Sequence, residues 1–402
     1  MIPFHQPTRV PEELGLVAQV LSGQSADRHF NRECDLFLQD RLGVSYATLT
    51  PSCTHALELA ALALEIGPGD EIVVPAFTFP STANAFLLRG ARLVFADVEH
   101  DTLNIDPVGL DRLIGPRTRA IVVLHYAGIS CDMDAIMSIA GAAEIPVVED
   151  AAHALFGTYK GRPLGTIGAV GAFSFHRTKN FCCGEGGAFV TDNQRLADIA
   201  EVVREKGTNR SQFMRGLVHK YEWVREGSSY IVADILAAQL VAQLARAQEI
   251  QGKRKRIFER YQAGLADWAS AQGVRQPKIQ EGCDPAWHLY YLVMPSEEIR
   301  DRFLSYLRSQ QVEAAFHYVP LHLTPMGRRL GGQSGDAPVT EQVAAGLVRL
   351  PFYTDLSEGD QDRVIDVVRS FEIRLNRRRG SSSLAQRNRP ATTSPATTAA
   401  SD

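Results

Sequence analysis

The sequence predicts an α/β protein with a mixed, mostly parallel sheet that carries helices on both faces, and a smaller C-terminal α/β domain. Short β-rich runs alternate with helical patterns through the first half of the chain, which is typical of parallel sheets. The chain has 402 residues and 45% of them are hydrophobic, enough for a large core and about two domains.

The hydrophobic patterns place the elements in order. We expect strands near 46–49, 71–74, 92–95, 120–124, 146–149, 172–175 and 188–191. We expect helices over 53–66, 134–143 and 193–206, and one long, bent helical stretch over 234–272. In the C-terminal part, the pattern predicts strands near 288–293 and 314–318 and helices near 297–310 and 357–375.

These patterns suggest a division of the chain into three parts. We assign 1–250 to a large domain and 251–376 to a small one. Residues 377–402 begin with basic side chains and continue with Ser, Thr, Ala and Pro, so that we expect a disordered tail.

Composition excludes several classes of protein. A formal charge of −4 argues against general nucleic-acid binding. The six cysteines form no CxxC pair, so we expect no structural metal. The sequence shows no secretory signal and no apolar stretch of membrane-spanning length, so that we expect a cytoplasmic protein without a membrane partner.

A lysine, a carboxylate and a serine carry the clearest chemical signal. Asp150 ends the predicted strand near 146–149, while Ser174 and Lys179 lie at and after the end of the next strand, followed by glycines at 184, 186 and 187. Ligands of parallel sheets bind beyond the carboxyl ends of strands. This combination suits pyridoxal 5'-phosphate: Lys179 bonds to the aldehyde, Asp150 holds the pyridinium proton and Ser174 binds part of the phosphate. His153 could face the ring oxygen, or it could be a structural histidine.

Two further segments could contribute to the same site. Ser52, Cys53 and Thr54 follow a strand and open a helix, where backbone N–H groups and hydroxyls form a phosphate site. An ordinary helix cap explains the same residues. Phe79 could stack on the cofactor ring or belong to the core. No GxGxxG follows the first strand and no GxxxxGK[ST] occurs, which weakens dehydrogenase and P-loop interpretations.

Six segments together resemble the DegT-type sugar-nucleotide aminotransferases, which are fold-type I pyridoxal-phosphate enzymes. They are Ser-Cys-Thr-His-Ala-Leu at 52–57, Pro-Ala-Phe-Thr-Phe at 75–79, Val-Val-Glu-Asp-Ala-Ala-His at 147–153, Phe-Ser-Phe-His-Arg-Thr-Lys-Asn at 173–180, Gly-Glu-Gly-Gly at 184–187 and Pro-Leu-His at 320–322. They occur in family order over about 1–375. Cys53 departs from the family, which often has glycine there, but binding by backbone N–H groups survives that change.

Other segments resemble those family members that aminate C4 of dTDP-4-keto-6-deoxy-D-glucose with L-glutamate, for surface polysaccharides such as enterobacterial common antigen. The segments are 125–128, 204–213, 227–230 and 316–322. The resemblance implies a homodimer with shared active sites, in which Ser229 reaches the neighbouring cofactor phosphate. We expect Tyr318 and His322 to bind substrate, and Lys206 and Arg210 to bind its diphosphate, although these two charges could equally be solvated.

Several alternatives remain open. The turn at 24–30 is shorter and more charged than in relatives, so the substrate could be another dTDP- or UDP-linked keto-sugar aminated at C3 or C4. A sugar dehydratase of the same fold would replace the lysine with histidine or add an iron–sulfur cluster, and Lys179 and the cysteine spacing oppose this. The intact set of Lys179, Asp150 and Ser174 also opposes a non-catalytic regulatory protein.

Overall fold

Twelve strands lie in the described part of the chain, which is residues 1–373 of a computed structural model. They are β1 (Tyr46–Thr50), β2 (Glu71–Pro75), β3 (Arg92–Ala96), β4 (Thr118–Leu124), β5 (Val147–Asp150), β6 (Thr158–Tyr159), β7 (Arg162–Pro163), β8 (Val170–Ser174), β9 (Gly187–Thr191), β10 (Cys283–Asp284), β11 (Tyr291–Val293) and β12 (Leu347–Arg349). The seven strands predicted for the first half of the chain are all present.

Helices connect and cover these strands. They are α1 (Glu13–Leu21), α2 (His29–Leu42), α3 (Cys53–Ala63), α4 (Pro80–Leu87), α5 (Met133–Ala142), α6 (Gln194–Arg204), α7 (Arg210–Met214), α8 (Asp234–Ala245), α9 (Ala247–Gln272), α10 (Glu297–Ser309), α11 (Pro325–Arg329), α12 (Pro338–Gly346) and α13 (Glu358–Arg369). Short 3-10 helices lie at Pro107–Leu113, Tyr126–Gly128 and Leu321–Leu323. Met1–Phe371 forms one compact unit.

A seven-stranded sheet in the order β1-β9-β8-β5-β4-β2-β3 forms the centre. Pairing is parallel from β8 through β5, β4 and β2 to β3, and antiparallel only where β9 joins β8 and β1. Six strands therefore run in one direction and β9 in the other. The predicted mixed, mostly parallel sheet is confirmed, and the loops after β1, β2, β4, β5 and β8 all lie at one edge.

Alternating side chains of the strands feed two cores. Ile121 and Val147 belong to the core under α1, α2 and α8, whereas the adjacent Val122 and Val148 belong to the core under α3, α4 and α6. Because both faces are covered, these strands are apolar throughout instead of alternating with polar residues. The sheet is thus held rigidly from both sides, which fixes the strand ends that carry the site.

Two predictions for the C-terminal half need correction. The long, bent helical stretch predicted over 234–272 is two helices, because the backbone at Arg246 (φ −104°, ψ 23°) leaves the helical region between α8 and α9. The predicted strand over 314–318 is absent: only Ala315 pairs, with Arg349, and Phe316 to Val319 turn into an irregular, half-exposed segment. The partner of β11 is instead β12, which the sequence pattern did not reveal.

The proposed domain division stays a prediction. The boundary after residue 250 falls inside α9, and the predicted tail 377–402 lies outside the described residues.

Over residues 1–373, no helix combines the length and apolarity needed to cross a bilayer, and no group of His, Cys, Asp or Glu side chains has metal-binding geometry.

Candidate active site

The carboxyl ends of β5 and β8 carry the central residues. Asp150 ends β5 and pairs in parallel register with Ala172 of β8, so that Asp150 and Ser174 lie at the same edge of the sheet. Lys179 follows on the turn after β8. All three side chains line one cavity of about 540 Å³.

Most of the predicted site residues meet in this cavity. Its lining contains Cys53, Thr54, Phe79, Asp150, His153, Ser174, Lys179 and Tyr318. Eight of the twelve residues proposed from sequence are therefore brought together, although they come from segments more than 260 positions apart.

Asp150 is a buried carboxylate with a defined orientation. Thr82 Oγ1 donates to its Oδ2 at 2.7 Å, and the Ala152 N–H donates to its Oδ1 at 3.2 Å. Burial raises the pKa of Asp150, while these two hydrogen bonds and the charge of Lys179 lower it. A cationic partner in the cavity would therefore offset the cost of keeping this group ionised.

Lys179 is placed for nucleophilic chemistry. Burial lowers its pKa to about 8, opposed by the nearby Asp150. The next residue, Asn180, anchors the turn because its Nδ2 donates to Ala286 O at 2.6 Å and its Oδ1 bonds to His288 Nδ1 at 2.9 Å. A lysine that is partly neutral near pH 8 can attack an aldehyde.

The start of α3 forms a polar rim of the same cavity. Ser52 caps the helix by accepting from the His55 N–H at 3.2 Å, and Thr54 Oγ1 donates to Ser81 Oγ at 2.8 Å. Gly187 makes room for this turn, since a Cβ there would lie 2.4 Å from Cys53 N. The helix start therefore presents N–H groups and three hydroxyls to the cavity, a combination that suits a phosphate.

Aromatic side chains form the opposite walls. His153 stacks on His288 with ring centroids 4.2 Å apart, and its Nε2 lies 3.4 Å from Tyr318 Oη. Burial lowers the pKa of both histidines well below the usual value, so both rings are neutral at pH 7. His153 Nδ1 is buried without a hydrogen-bond partner. Phe79 is 55% exposed and lines the cavity instead of entering the core.

Four predicted residues lie outside the cavity lining. His322 is fully buried and bonds through Nε2 to Glu341 Oε1 at 3.0 Å, which directs it away from the site. Arg210 lies 3.9 Å from the Glu205 carboxylate. Lys206, four residues before Arg210, and Ser229 are both exposed. The single chain does not bring these four to the site, and their binding roles stay predictions.

The structure adds residues that the sequence interpretation missed. Thr82, Ser81, His288, His317 and Arg349 contact Asp150 or line the cavity. Thr82 lies one helical turn after Phe79, so its position at the start of α4 was a usable signal. Ser81 shares this signal, whereas His288, His317 and Arg349 reach the cavity through tertiary packing.

Glu149, beside Asp150 on β5, holds this edge together. Its fully buried carboxylate accepts the N–H groups of Gly165, Ile167 and Gly168 at 2.5–2.7 Å and lies 2.8 Å from His125 Nε2. The Glu149 carboxylate fixes the loop between β7 and β8, and thereby the neighbouring end of β5.

We expect Glu149→Ala to lower the free energy of unfolding by about 3–5 kcal/mol, because several buried donors lose their partner. Urea denaturation measures the difference. Asp198→Ala, which removes an exposed carboxylate on α6, should change stability by no more than about 0.5 kcal/mol. Equal stability of the two variants would contradict this role of Glu149.

The residues present fit pyridoxal 5'-phosphate. The helix start with Ser52, Thr54 and Ser81 suits the phosphate, Asp150 suits the pyridinium nitrogen and Lys179 suits the aldehyde. His153 Nδ1 offers an unused buried polar atom in the wall. The chemistry of this set matches the three polar parts of the cofactor.

Comparison with known proteins agrees with this geometry. The family model of the DegT/DnrJ/EryC1/StrS aminotransferases matches residues 9–369. The chain belongs to this family. This aminotransferase is 35% identical over 383 residues to the spore coat polysaccharide biosynthesis protein SpsC of Bacillus subtilis, covering 92% of the chain and 97% of SpsC.

Solved structures share the fold of the aminotransferase. The aminotransferase TlmJ from Streptoalloteichus hindustanus has a TM-score of 0.83 at 33% identity, over 92% of this chain and 98% of TlmJ. Spr1654 from Streptococcus pneumoniae, in its PLP form, has a TM-score of 0.84 at 27% identity, over 92% and 97% of the two chains. The fold is therefore that of the fold-type I enzymes, and the cofactor is pyridoxal 5'-phosphate.

Proposed function

We propose that this aminotransferase moves an amino group from L-glutamate to C4 of dTDP-4-keto-6-deoxy-D-glucose, giving dTDP-4-amino-4,6-dideoxygalactose for surface polysaccharide synthesis. Family membership and the Lys179–Asp150 pair support amino transfer. The similarity to a polysaccharide biosynthesis protein, and the segments 204–213 and 316–322, support a nucleotide-linked keto-sugar.

Lys179, Asp150 and the start of α3 each have a separate role in the proposed reaction. Pyridoxal phosphate, held by Asp150, Lys179 and the α3 start, would supply an electron-withdrawing ring and an aldehyde carbon that can carry the amino group. Lys179 Nζ takes the proton from the donor carbon and, in the second half of the reaction, delivers a proton to the sugar carbon. Asp150 holds the proton on the ring nitrogen, and the α3 start holds the phosphate in place.

The neutral wall of the cavity is the observation that most favours a sugar. His153 and His288 stay neutral at pH 7, and burial together with Arg349 lowers the pKa of His317 to about 4. Burial raises the pKa of Tyr318 to about 12. Neutral rings and a phenol can donate to and accept from sugar hydroxyls.

A cytoplasmic homodimer with shared sites completes the proposal. The segment before Ser229 exposes a cluster of apolar side chains, which single soluble chains rarely do. The cluster is Phe213, Met214, Leu217, Tyr221, Trp223 and Val224. Its burial against a second copy would bring Ser229, Lys206 and Arg210 towards a neighbouring site. Sedimentation should give twice the monomer mass.

Visible absorbance of the purified protein tests the proposal. L-Glutamate should bleach the yellow band, and dTDP-4-keto-6-deoxy-D-glucose should restore it with formation of a 4-amino-sugar that NMR identifies. An axial C4 amine is expected for the galactose configuration. If only other keto-sugars restored the yellow band, dTDP-4-keto-6-deoxy-D-glucose would be rejected as the substrate. If L-glutamate did not bleach the band, L-glutamate would be rejected as the amino donor.

Cofactor capture should depend on pH. Because only the neutral amine attacks an aldehyde, and Lys179 has a pKa of about 8, the capture rate of cofactor-free protein should rise with pH through a midpoint near 8. Stopped-flow absorbance measures the rate. A rate that is flat between pH 6.5 and 9, or one that falls, would show that deprotonation of Lys179 does not limit capture.

A further inference from the structure

Another cavity of the described chain, about 190 Å³ in volume, shares no lining residue with the active-site cavity. Its walls come from the loop after β3, the segment after α9 and strand β11. The polar side chains of its lining are those of His100, Asp101, Arg275, Gln276, Lys278 and Tyr291. None of them has a role in the proposed amino transfer, and two cations face a single carboxylate.

Arg275 presents a free hydrogen-bonding edge. Its Nη1 donates to His100 Nδ1 at 2.7 Å and also to His100 O, which holds the half-buried guanidinium in one orientation. Within residues 1–373, its Nε and Nη2 donate no hydrogen bond, and no carboxylate lies within ion-pair distance of it. Arg260 uses the same Nε–Nη2 edge to hold the Asp362 carboxylate, at 3.0 and 2.7 Å. The corresponding edge of Arg275 is therefore available to an oxyanion.

The buried hydroxyl of Tyr291 is a second donor without a partner. The residue is 1% exposed, and within residues 1–373 its Oη has no hydrogen-bond partner. Burial raises the pKa of Tyr291, while the charge of Arg275 lowers it and that of Asp101 raises it, so the phenol oxygen lies near both side chains. A buried hydroxyl without a partner is unfavourable, and an oxygen atom of a ligand in the cavity would accept its hydrogen.

The charges of the lining indicate the class of ligand. Lys278 Nζ lies 2.6 Å from Asp101 Oδ2, so these two charges balance each other and that of Arg275 is left over. We propose that the cavity binds a small oxyanion, a phosphate or carboxylate group, between the Nε–Nη2 edge of Arg275 and the hydroxyl of Tyr291. Two adjacent N–H donors match two oxygen atoms of one such group.

Other ligands fit this cavity less well. A metal cation would meet the guanidinium, and in the described chain no group of acidic, His or Cys side chains has metal-binding geometry. A neutral ligand would leave the charge of Arg275 unbalanced. The cavity is also smaller than the roughly 300 Å³ at which pockets for drug-sized ligands begin, so a whole nucleotide does not fit inside it.

Calorimetric titration of the cofactor-loaded protein tests the proposal, with inorganic phosphate and acetate as probes at constant ionic strength. Arg275→Gln should weaken binding of the preferred anion at least about tenfold, because the bidentate donor is lost. Arg256→Gln, which removes an exposed arginine of α9, should change binding less than about twofold. The difference between the wild type and Arg275→Gln separates this cavity from any anion binding in the active site. Tighter binding of phosphate or of acetate shows which of the two groups the cavity takes.

Two further variants test the geometry and the sign of the charge. Tyr291→Phe removes only the partnerless hydroxyl, so its melting temperature in chloride buffer should not fall, whereas anion binding should weaken at least about threefold. Asp101→Asn removes a competing negative charge and frees Lys278, so it should strengthen binding about threefold. The proposal would be overturned if neither anion bound the wild type, if Arg275→Gln bound as the wild type does, if Tyr291→Phe left binding unchanged, or if Asp101→Asn weakened it.

Discussion

Lys179→Ala is expected to abolish turnover, with a loss on the order of 10⁴-fold or more, because the same amine both anchors the aldehyde and moves the proton. Asp150 and the start of α3 remain, so the variant should still bind pyridoxal phosphate without a covalent bond. Binding that persists while catalysis is lost would separate the chemical role of Lys179 from a structural one.

Borohydride reduction gives a direct measurement. Reduction should fix the cofactor to the wild-type chain, and peptide mass spectrometry should locate it on Lys179. Lys255→Ala removes an exposed lysine of α9 and should behave as the wild type. Cofactor found on another lysine, or turnover of Lys179→Ala within tenfold of the wild type, would refute the assignment.

The centre of the site could be predicted because sequence order and sheet order coincide there. Asp150 and Ser174 end consecutive members of a parallel sheet, and such ends meet at one edge whatever the details of packing. Lys179 is separated from Ser174 by only one short turn. Periodicity also predicted the seven strands of the first half of the chain, since each of these buried strands is a short apolar run between turn signals.

The positions of the outer residues of the candidate site depend on tertiary packing, which no local sequence pattern encodes. Arg349 lies some 170 residues after Lys179 in the chain and ends a three-residue strand. It reaches the cavity only because Ala315 pairs with it. His322 is the last residue of a recognisable Pro-Leu-His segment, yet its ring bonds to Glu341 of α12 instead of facing the cavity. The chemical type of a residue was readable from sequence, whereas the direction of its side chain was not.

Asp150→Asn should lower kcat on the order of 10³-fold while preserving the fold. The amide keeps the size of the side chain and can still accept from Thr82 Oγ1, but it carries no charge to hold a proton on the ring nitrogen. Without that proton the ring withdraws fewer electrons, so proton removal by Lys179 becomes slower. Single-turnover bleaching with L-glutamate measures the loss.

A modified cofactor distinguishes this role from mere positioning. An N-methylated pyridoxal phosphate is permanently cationic, so its ring needs no proton and it should restore activity to Asp150→Asn more than to the wild type, in which it crowds the carboxylate. Glu185→Gln, a change at a mostly exposed carboxylate of the same cavity, should stay within a few-fold of the wild type with either cofactor. If the methylated cofactor gave Asp150→Asn no advantage, the carboxylate would matter for placing the ring rather than for its charge, and the electrostatic assignment of Asp150 would fall.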